Sequence, residues 1–240
     1  MKPILLFDVD GTLTVPMQSI KNDMIQCLKL LKNKYTLAIV GGSDICKIKK
    51  QLGNAINLFD YVFSQNGLEY YKNDILIEST SISKFFGEEN LQKIINIVLL
   101  CLCDINIPIK RGTFIEYRTG MLNISPIGRN CSQVDRDEFE KYDNKYKIRE
   151  TLISILQSEL SEYDLQFSVG GQISFDIFPK GWDKTYCLKY LKDYDKIYFF
   201  GDKCYPGGND YEIFESNKTT SYSVNNYKET IKFLQELHHV

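Results

Sequence analysis

The chain has 240 residues, 43% of them apolar and 25% charged, ordinary proportions for a soluble globular protein with a sizeable core. A formal net charge of -2 excludes the basic footprint of a nucleic-acid binder or of a protein held on an acidic membrane, and leaves a small molecule as the expected partner. The opening run at residues 4–7 is too short for a secretory signal, and the longest apolar run, residues 94–103, falls well short of the roughly 20 residues of a membrane helix.

Residues 2–9 read as a buried parallel strand, four apolar residues ending in acidic ones. A helix capped by Ser19 or Asn22 runs to residue 31, with Ile20, Met24, Cys27, Leu28 and Leu31 at helical spacing. A strand at 35–40, a helix at 44–52 and a strand at 61–63 follow, the rhythm of an open parallel sheet covered on both faces. The rhythm changes near residue 82. A helix at 88–103 precedes strands at 113–118 and 121–125, then helices near 132–142 and 146–160, then strands at 165–169 and 172–178. Helix with hairpin, twice over, predicts a four-stranded antiparallel sheet with helices on one face. After Gly181 the first rhythm returns, with a helix at 182–191, a strand at 196–200, a short helix at 210–214, a strand at 220–224 and a helix at 227–237. The prediction is an α/β core, residues 1–81 and 183–240, interrupted by an α+β domain at 82–182.

Two scarcities narrow the chemistry. The histidines are His238 and His239 alone, near the carboxyl end, which argues against Ser-His-Asp hydrolysis, phosphohistidine transfer and His-ligated zinc. Seven cysteines without a C-x-x-C pair predict reduced, mostly buried thiols in a cytosolic protein. The five arginines, Arg111, Arg118, Arg129, Arg136 and Arg149, all fall inside the inserted domain. Bidentate recognition of phosphate accounts for such a cluster, and a subunit interface is the alternative.

Asp8-Val9-Asp10-Gly11-Thr12 ends the first strand, where ligands of open α/β sheets bind. Two carboxylates two residues apart repel unless a cation lies between them, and Gly11 permits the turn that exposes both. Ser43, after Gly41-Gly42, offers a hydroxyl to a phosphoryl oxygen. Lys184 opens the helix after Gly181-Trp182-Asp183, and Gly201-Asp202 ends a later strand, with Gly207-Gly208-Asn209-Asp210 beyond it. Turn formation and helix capping are the plainer explanation of any one of these residues.

The order Asp, Ser, Lys, Asp resembles the four motifs of the haloacid dehalogenase superfamily. That resemblance implies a Rossmann-like core with an inserted cap of type IIB. It implies Asp8 as nucleophile, Asp10 as general acid and base, and Ser43 and Lys184 as stabilisers of the phosphoryl oxygens. Magnesium would take ligands from Asp8, Asp202 and the carbonyl of Asp10.

The substrate expectation comes from Phe114 to Asn123, Ser125 to Arg129, Gly170 to Asp176, and Gly201-Asp202-Lys203 with Gly207 to Asp210. These stretches closely resemble the eukaryotic phosphomannomutases. The resemblance implies interconversion of mannose 6-phosphate and mannose 1-phosphate, supplying GDP-mannose synthesis and primed by a hexose 1,6-bisphosphate. Arg118, Arg129 and Arg136 would grip the distal phosphate, and Ser174 and Asp176 the sugar hydroxyls, leaving Arg111 and Arg149 to the surface. It also implies a cytoplasmic homodimer joined through the cap, with hinges near 80–84 and 179–183. A sugar-phosphate or hexose-bisphosphate phosphatase of the same superfamily is the alternative. Two positions depart from the family: Met17 stands where arginine is usual, and Ser216 replaces an aspartate of a second cation site whose other ligands would be the Phe214 carbonyl and Thr219.

Overall fold

Ile4, Leu5, Leu6 and Phe7 have no exposed surface, so the first strand is apolar on both faces, as a central parallel strand requires. The computed structural model describes residues 2–239. In chain order the first stretch comprises β1 (Ile4–Phe7), α1 (Asn22–Leu31), β2 (Thr36–Val40), α2 (Ile45–Leu52), β3 (Tyr61–Ser64), β4 (Glu69–Lys72) and β5 (Ile75–Ser79). The insert carries α3 (Ile82–Asp104), β6 (Ile115–Arg118), β7 (Met121–Ile124), α4 (Gln133–Tyr146), α5 (Ile148–Glu159), β8 (Leu165–Gly170) and β9 (Ser174–Pro179). The chain then returns through β10 (Ile197–Gly201), α6 (Tyr211–Phe214), β11 (Thr220–Ser223) and α7 (Tyr227–His239).

The larger sheet has seven strands in the order β11-β10-β1-β2-β3-β4-β5, parallel from β11 to β3 and closed by the antiparallel hairpin β4–β5. Leu5 and Phe7 face one apolar layer, with Met24, Leu28, Leu37, Ile39 and Leu234. Ile4 and Leu6 face the other, with Val40, Phe63, Leu188 and Phe199. β1 lies between β10 and β2, so the chain winds away from it in both directions and opens a crevice at its carboxyl end. The fold is therefore α/β with a parallel-dominated sheet, and the insert holds its own four-stranded antiparallel sheet, β6-β7-β9-β8.

The chain divides into two units, Met1–Ser79 with Trp182–Val240, and Thr80–Gly181. These boundaries fall slightly before the predicted ones because Ser81 already belongs to the insert: its hydroxyl caps α3 by accepting the Lys84 N–H at 3.2 Å. In the insert, Leu122, Ile124, Phe175 and Ile177 are fully buried on one side of the sheet, and Asn123 and Asp176 alternate with them on the other.

Several sequence readings are corrected. β1 stops at Phe7 because the Val9 carbonyl turns to accept the amides of Leu13 and Thr14, each at 3.0 Å. Neither Ser19 nor Asn22 caps α1; Lys21 stands at its start without a side-chain cap. The predicted helix at 182–191 is a 3-10 helix, Lys184–Tyr190, and α3 begins before its break at Gly87 rather than after it. Hairpin β4–β5 was not predicted, although Asn73 and Asp74, both at positive φ, form its turn between two strand-forming runs. All seven thiols are free, but only Cys187 and Cys204 are buried, while Cys46 and Cys103 are exposed.

Candidate active site

Asp8 is the first residue past β1, and its N–H donates to the Phe200 carbonyl at 2.9 Å, so the neighbouring strand fixes where the carboxylate emerges. The chain then closes a tight turn in which Gly11 N–H donates to the Thr14 carbonyl at 2.9 Å. Gly11 sits at φ +86°, and a Cβ there would come within 2.3 Å of Asp202 Oδ2. Glycine is what lets the loops after β1 and β10 approach.

Asp8, Asp10, Gly41, Gly42, Ser43, Gln51, Asp202, Lys203 and Asn209 line a cavity of about 120 Å³ at these strand ends. The crevice thus brings together Asp8, Asp10, Ser43 and Asp202. Lys184 lies behind this wall, only 1% exposed. Asp183 accepts the Thr185 N–H at 2.8 Å, capping the 3-10 helix that delivers Lys184. The Lys184 ammonium donates to Asp8 Oδ1 and, at 2.5 Å, to Asp210 Oδ1.

Asp210 is the residue that sequence reasoning left unassigned. It is fully buried, and its Oδ2 accepts the backbone N–H groups of Asp202 at 3.1 Å and Lys203 at 3.0 Å. One carboxylate therefore anchors both the lysine and the loop carrying Asp202. The available signal was its place in the Gly-Gly-Asn-Asp stretch, read there as part of a motif rather than as a ligand of Lys184. Gln51 was also missed; it donates to Asp10 Oδ1 at 2.8 Å from α2.

The electrostatics follow from burial. Desolvation pushes the Asp8 carboxyl up to about 7 against the opposing pull of Lys184. Asp202 is raised as well, by burial first and then by Asp210. Burial by itself would lower Lys184, but Asp8 and Asp210 together outweigh it and hold the ammonium above its usual range. Carboxylate oxygens of Asp8, Asp202 and Asp210 lie within 4.8 Å of one another, a hard-oxygen donor set with one buried ammonium beside it. Such a set fits a divalent cation such as magnesium. Both Asp210 oxygens already accept protein donors, so Asp8 and Asp202 are the better placed ligands. Phe214, Ser216 and Thr219 sit at the end of α6, outside the cavity lining. There Thr219 Oγ1 lies 2.8 Å from the Ile213 carbonyl and 3.1 Å from that of Ser216.

The insert gathers its own polar network. Glu116 Oε2 accepts from Arg118 Nη2 at 2.8 Å and Arg129 Nε at 3.0 Å. Arg129 Nη1 donates to Asn123 Oδ1 at 2.6 Å, and Asn123 Nδ2 to Asp176 Oδ1 at 2.7 Å. Glu116, Asn123 and Asp176 are cross-strand neighbours in register, so one sheet face carries the whole row. Arg136 joins it by donating from Nη2 to the Arg129 carbonyl at 2.9 Å. Ser174 Oγ donates to the Gly170 carbonyl at 3.0 Å and so holds its own hairpin. The hydrogen bond from Arg118, with both arginine charges, lowers Glu116, whereas burial raises Asp176. Glu116 and Asn123 were not singled out from the sequence. Arg149 corrects an expectation outright. It is buried, not superficial, donating to Asp143 Oδ2 at 2.7 Å and to the carbonyls of Gly171 and Ser174 at 3.0 Å each.

A parallel sheet with acidic residues at the tips of β1 and β10 and an α+β insert defines a protein of the haloacid dehalogenase class. Among solved structures, an IMP-nucleotidase from Plasmodium falciparum superposes with a TM-score of 0.63 at 18% identity, spanning 100% of this chain and 68% of that one. That likeness concerns the fold. The family model for eukaryotic phosphomannomutase matches residues 24–240. Phosphomannomutases of Solanum lycopersicum and Nicotiana benthamiana are 55% and 53% identical, covering 95% and 97% of this chain and 91% and 93% of theirs. The chain belongs to the eukaryotic phosphomannomutase family.

Proposed function

We propose that this protein interconverts mannose 6-phosphate and mannose 1-phosphate by passing a phosphoryl group through Asp8. The observation that carries the reading is the contrast in surroundings of two carboxylates that line one cavity. Asp8 is paired with buried Lys184, whereas Asp10 is hydrogen-bonded at the cavity's edge. Asp8 attacks phosphorus, forming an acyl phosphate, while Asp10 gives its proton to the departing sugar oxygen. In the reverse half-reaction Asp10 takes a proton from the sugar hydroxyl as that oxygen attacks the phosphoryl group on Asp8. Lys184 and Ser43 offset the charge on the transferring oxygens. Asp8, Asp202 and the Asp10 carbonyl would hold magnesium, which when bound neutralises charge shared between carboxylate and phosphate. In the insert, Arg118, Arg129 and Arg136 serve the distal phosphate, and Ser174 and Asp176 the sugar hydroxyls. The insert then acts as a cap that sets specificity and joins two copies. The Phe214 carbonyl and Thr219 are assigned to a second, structural cation.

A coupled assay on mannose 1-phosphate tests this, with and without glucose 1,6-bisphosphate, in magnesium and in EDTA. Isomerised ester that depends on both additions is expected. Release of inorganic phosphate in step with substrate loss would make the protein a phosphatase, and full activity in EDTA would remove the metal.

A further inference from the structure

Asp10 must present one oxygen to the sugar and keep doing so while the phosphoryl group moves. Its Oδ1 accepts two hydrogen bonds, from the Met17 N–H at 2.7 Å and from Gln51 Nε2 at 2.8 Å. Among the described residues no hydrogen bond reaches Oδ2. An oxygen that already accepts two N–H donors is a poor site for a proton, so the proton and the substrate are directed to Oδ2.

Gln51 controls both of those donors. Its side chain supplies one directly, and its backbone carbonyl accepts the Ile20 N–H at 2.9 Å, fixing the far end of the loop that carries Met17. Gln51 is nearly buried, at 6% exposure, where it lines the cavity with Asp8 and Asp10. Its amide oxygen nevertheless has no hydrogen-bond partner. A residue kept for stability alone would be satisfied or apolar, because a buried acceptor without a donor is unfavourable. The bond to Asp10 is what the amide achieves there.

We propose that Gln51 is the positioning residue of the acid–base carboxylate, a role that rests on the mutase reading above. Gln51 and the Met17 amide hold Asp10 Oδ1, so that Oδ2 carries the transferred proton. As the bond from phosphorus to sugar oxygen breaks and the bond from phosphorus to Asp8 forms, the proton on Oδ2 passes to that sugar oxygen. On return it moves from the sugar hydroxyl back to Oδ2.

The variant Gln51→Met keeps the length and removes the donor. Against mannose 1-phosphate with glucose 1,6-bisphosphate, kcat is expected to fall about 100-fold, the usual loss when a reacting group is misplaced by an ångström, with KM within about threefold. Magnesium-dependent binding of beryllium trifluoride, which mimics the acyl phosphate on Asp8 without needing an acid, should be unchanged. The melting temperature should hold or rise. A kcat within threefold of wild type overturns the assignment. So does a joint fall in kcat, beryllium trifluoride binding and melting temperature, which would make Gln51 structural. Wild-type protein without mutase turnover would instead overturn the functional reading itself, so the two failures are distinguishable.

Discussion

Asp210 has a claim to importance that its position in the sequence does not advertise, because three donors converge on it. Lys184 Nζ holds Oδ1, and two backbone amides hold Oδ2. Lys184 in turn reaches Asp8, so Asp210 helps set the position of the ammonium relative to the Asp8 carboxylate. Asp210→Asn retains the shape but removes the charge, leaving Lys184 a single anionic partner in a buried site. We expect kcat to drop by about 10²- to 10³-fold, as when one preorganised electrostatic contact is lost. Stability should fall by about 3 kcal/mol, the lower end of what breaking a buried ion pair costs. Urea unfolding and single-turnover phosphorylation of Asp8 measure the two separately. Near wild-type turnover in the Asn variant would mean that Asp8 alone positions Lys184.

At the scale of elements, the sequence was informative wherever one signal dominated. The apolar runs of β1, β2 and β10 and the glycines after them announced parallel strands with a crevice at their tips. Hairpin β4–β5 was missed because Ile75, Leu76 and Ile77 are exposed together, so no alternation marks them as a half-buried strand. Gln51, Glu116 and Asn123 were illegible for a different reason: Gln51 and Asn123 reach partners 41 and 53 residues away, and the Glu116 partners Arg118 and Arg129 meet it only once the strand and the following loop have folded. Arg149 shows the same limit. It joins Asp143 at the end of α4 to the turn between β8 and β9, accepting nothing and donating to three elements' oxygens. Both charges are buried, with side-chain exposures of 9% and 8%. Arg149→Met should therefore destabilise the protein by about 3–5 kcal/mol, because it strands a buried carboxylate. Adding Asp143→Leu should recover most of that loss, since the stranded charge is then gone. Chemical denaturation of the single and double variants decides it, and a single-variant loss below about 1 kcal/mol would contradict the buried-pair account.

For the whole molecule, the proposed reading gives phosphoryl chemistry and sugar recognition to different units of the fold. Asp8, Asp10, Lys184, Asp202 and Asp210 belong to the parallel-sheet unit, and Glu116, Arg118, Asn123, Arg129 and Asp176 to the insert. The clustering of arginines in the insert was legible in the sequence, but not the carboxylate of Glu116 and the amide of Asn123 that align them. Arg129 is the branch point of the insert's network, donating to Glu116 and Asn123 while its carbonyl receives Arg136. Lysine at that position keeps the charge but offers one point of contact in place of a planar fork. Arg129→Lys is expected to raise KM for mannose 1-phosphate about 10- to 100-fold, the equivalent of one or two charged hydrogen bonds. Magnesium-dependent beryllium trifluoride binding at Asp8 should stay at the wild-type level, because that probe carries neither sugar nor distal phosphate. If the substitution weakened both alike, the insert would be supporting the catalytic centre itself rather than reading the substrate, and the separation of roles would fail.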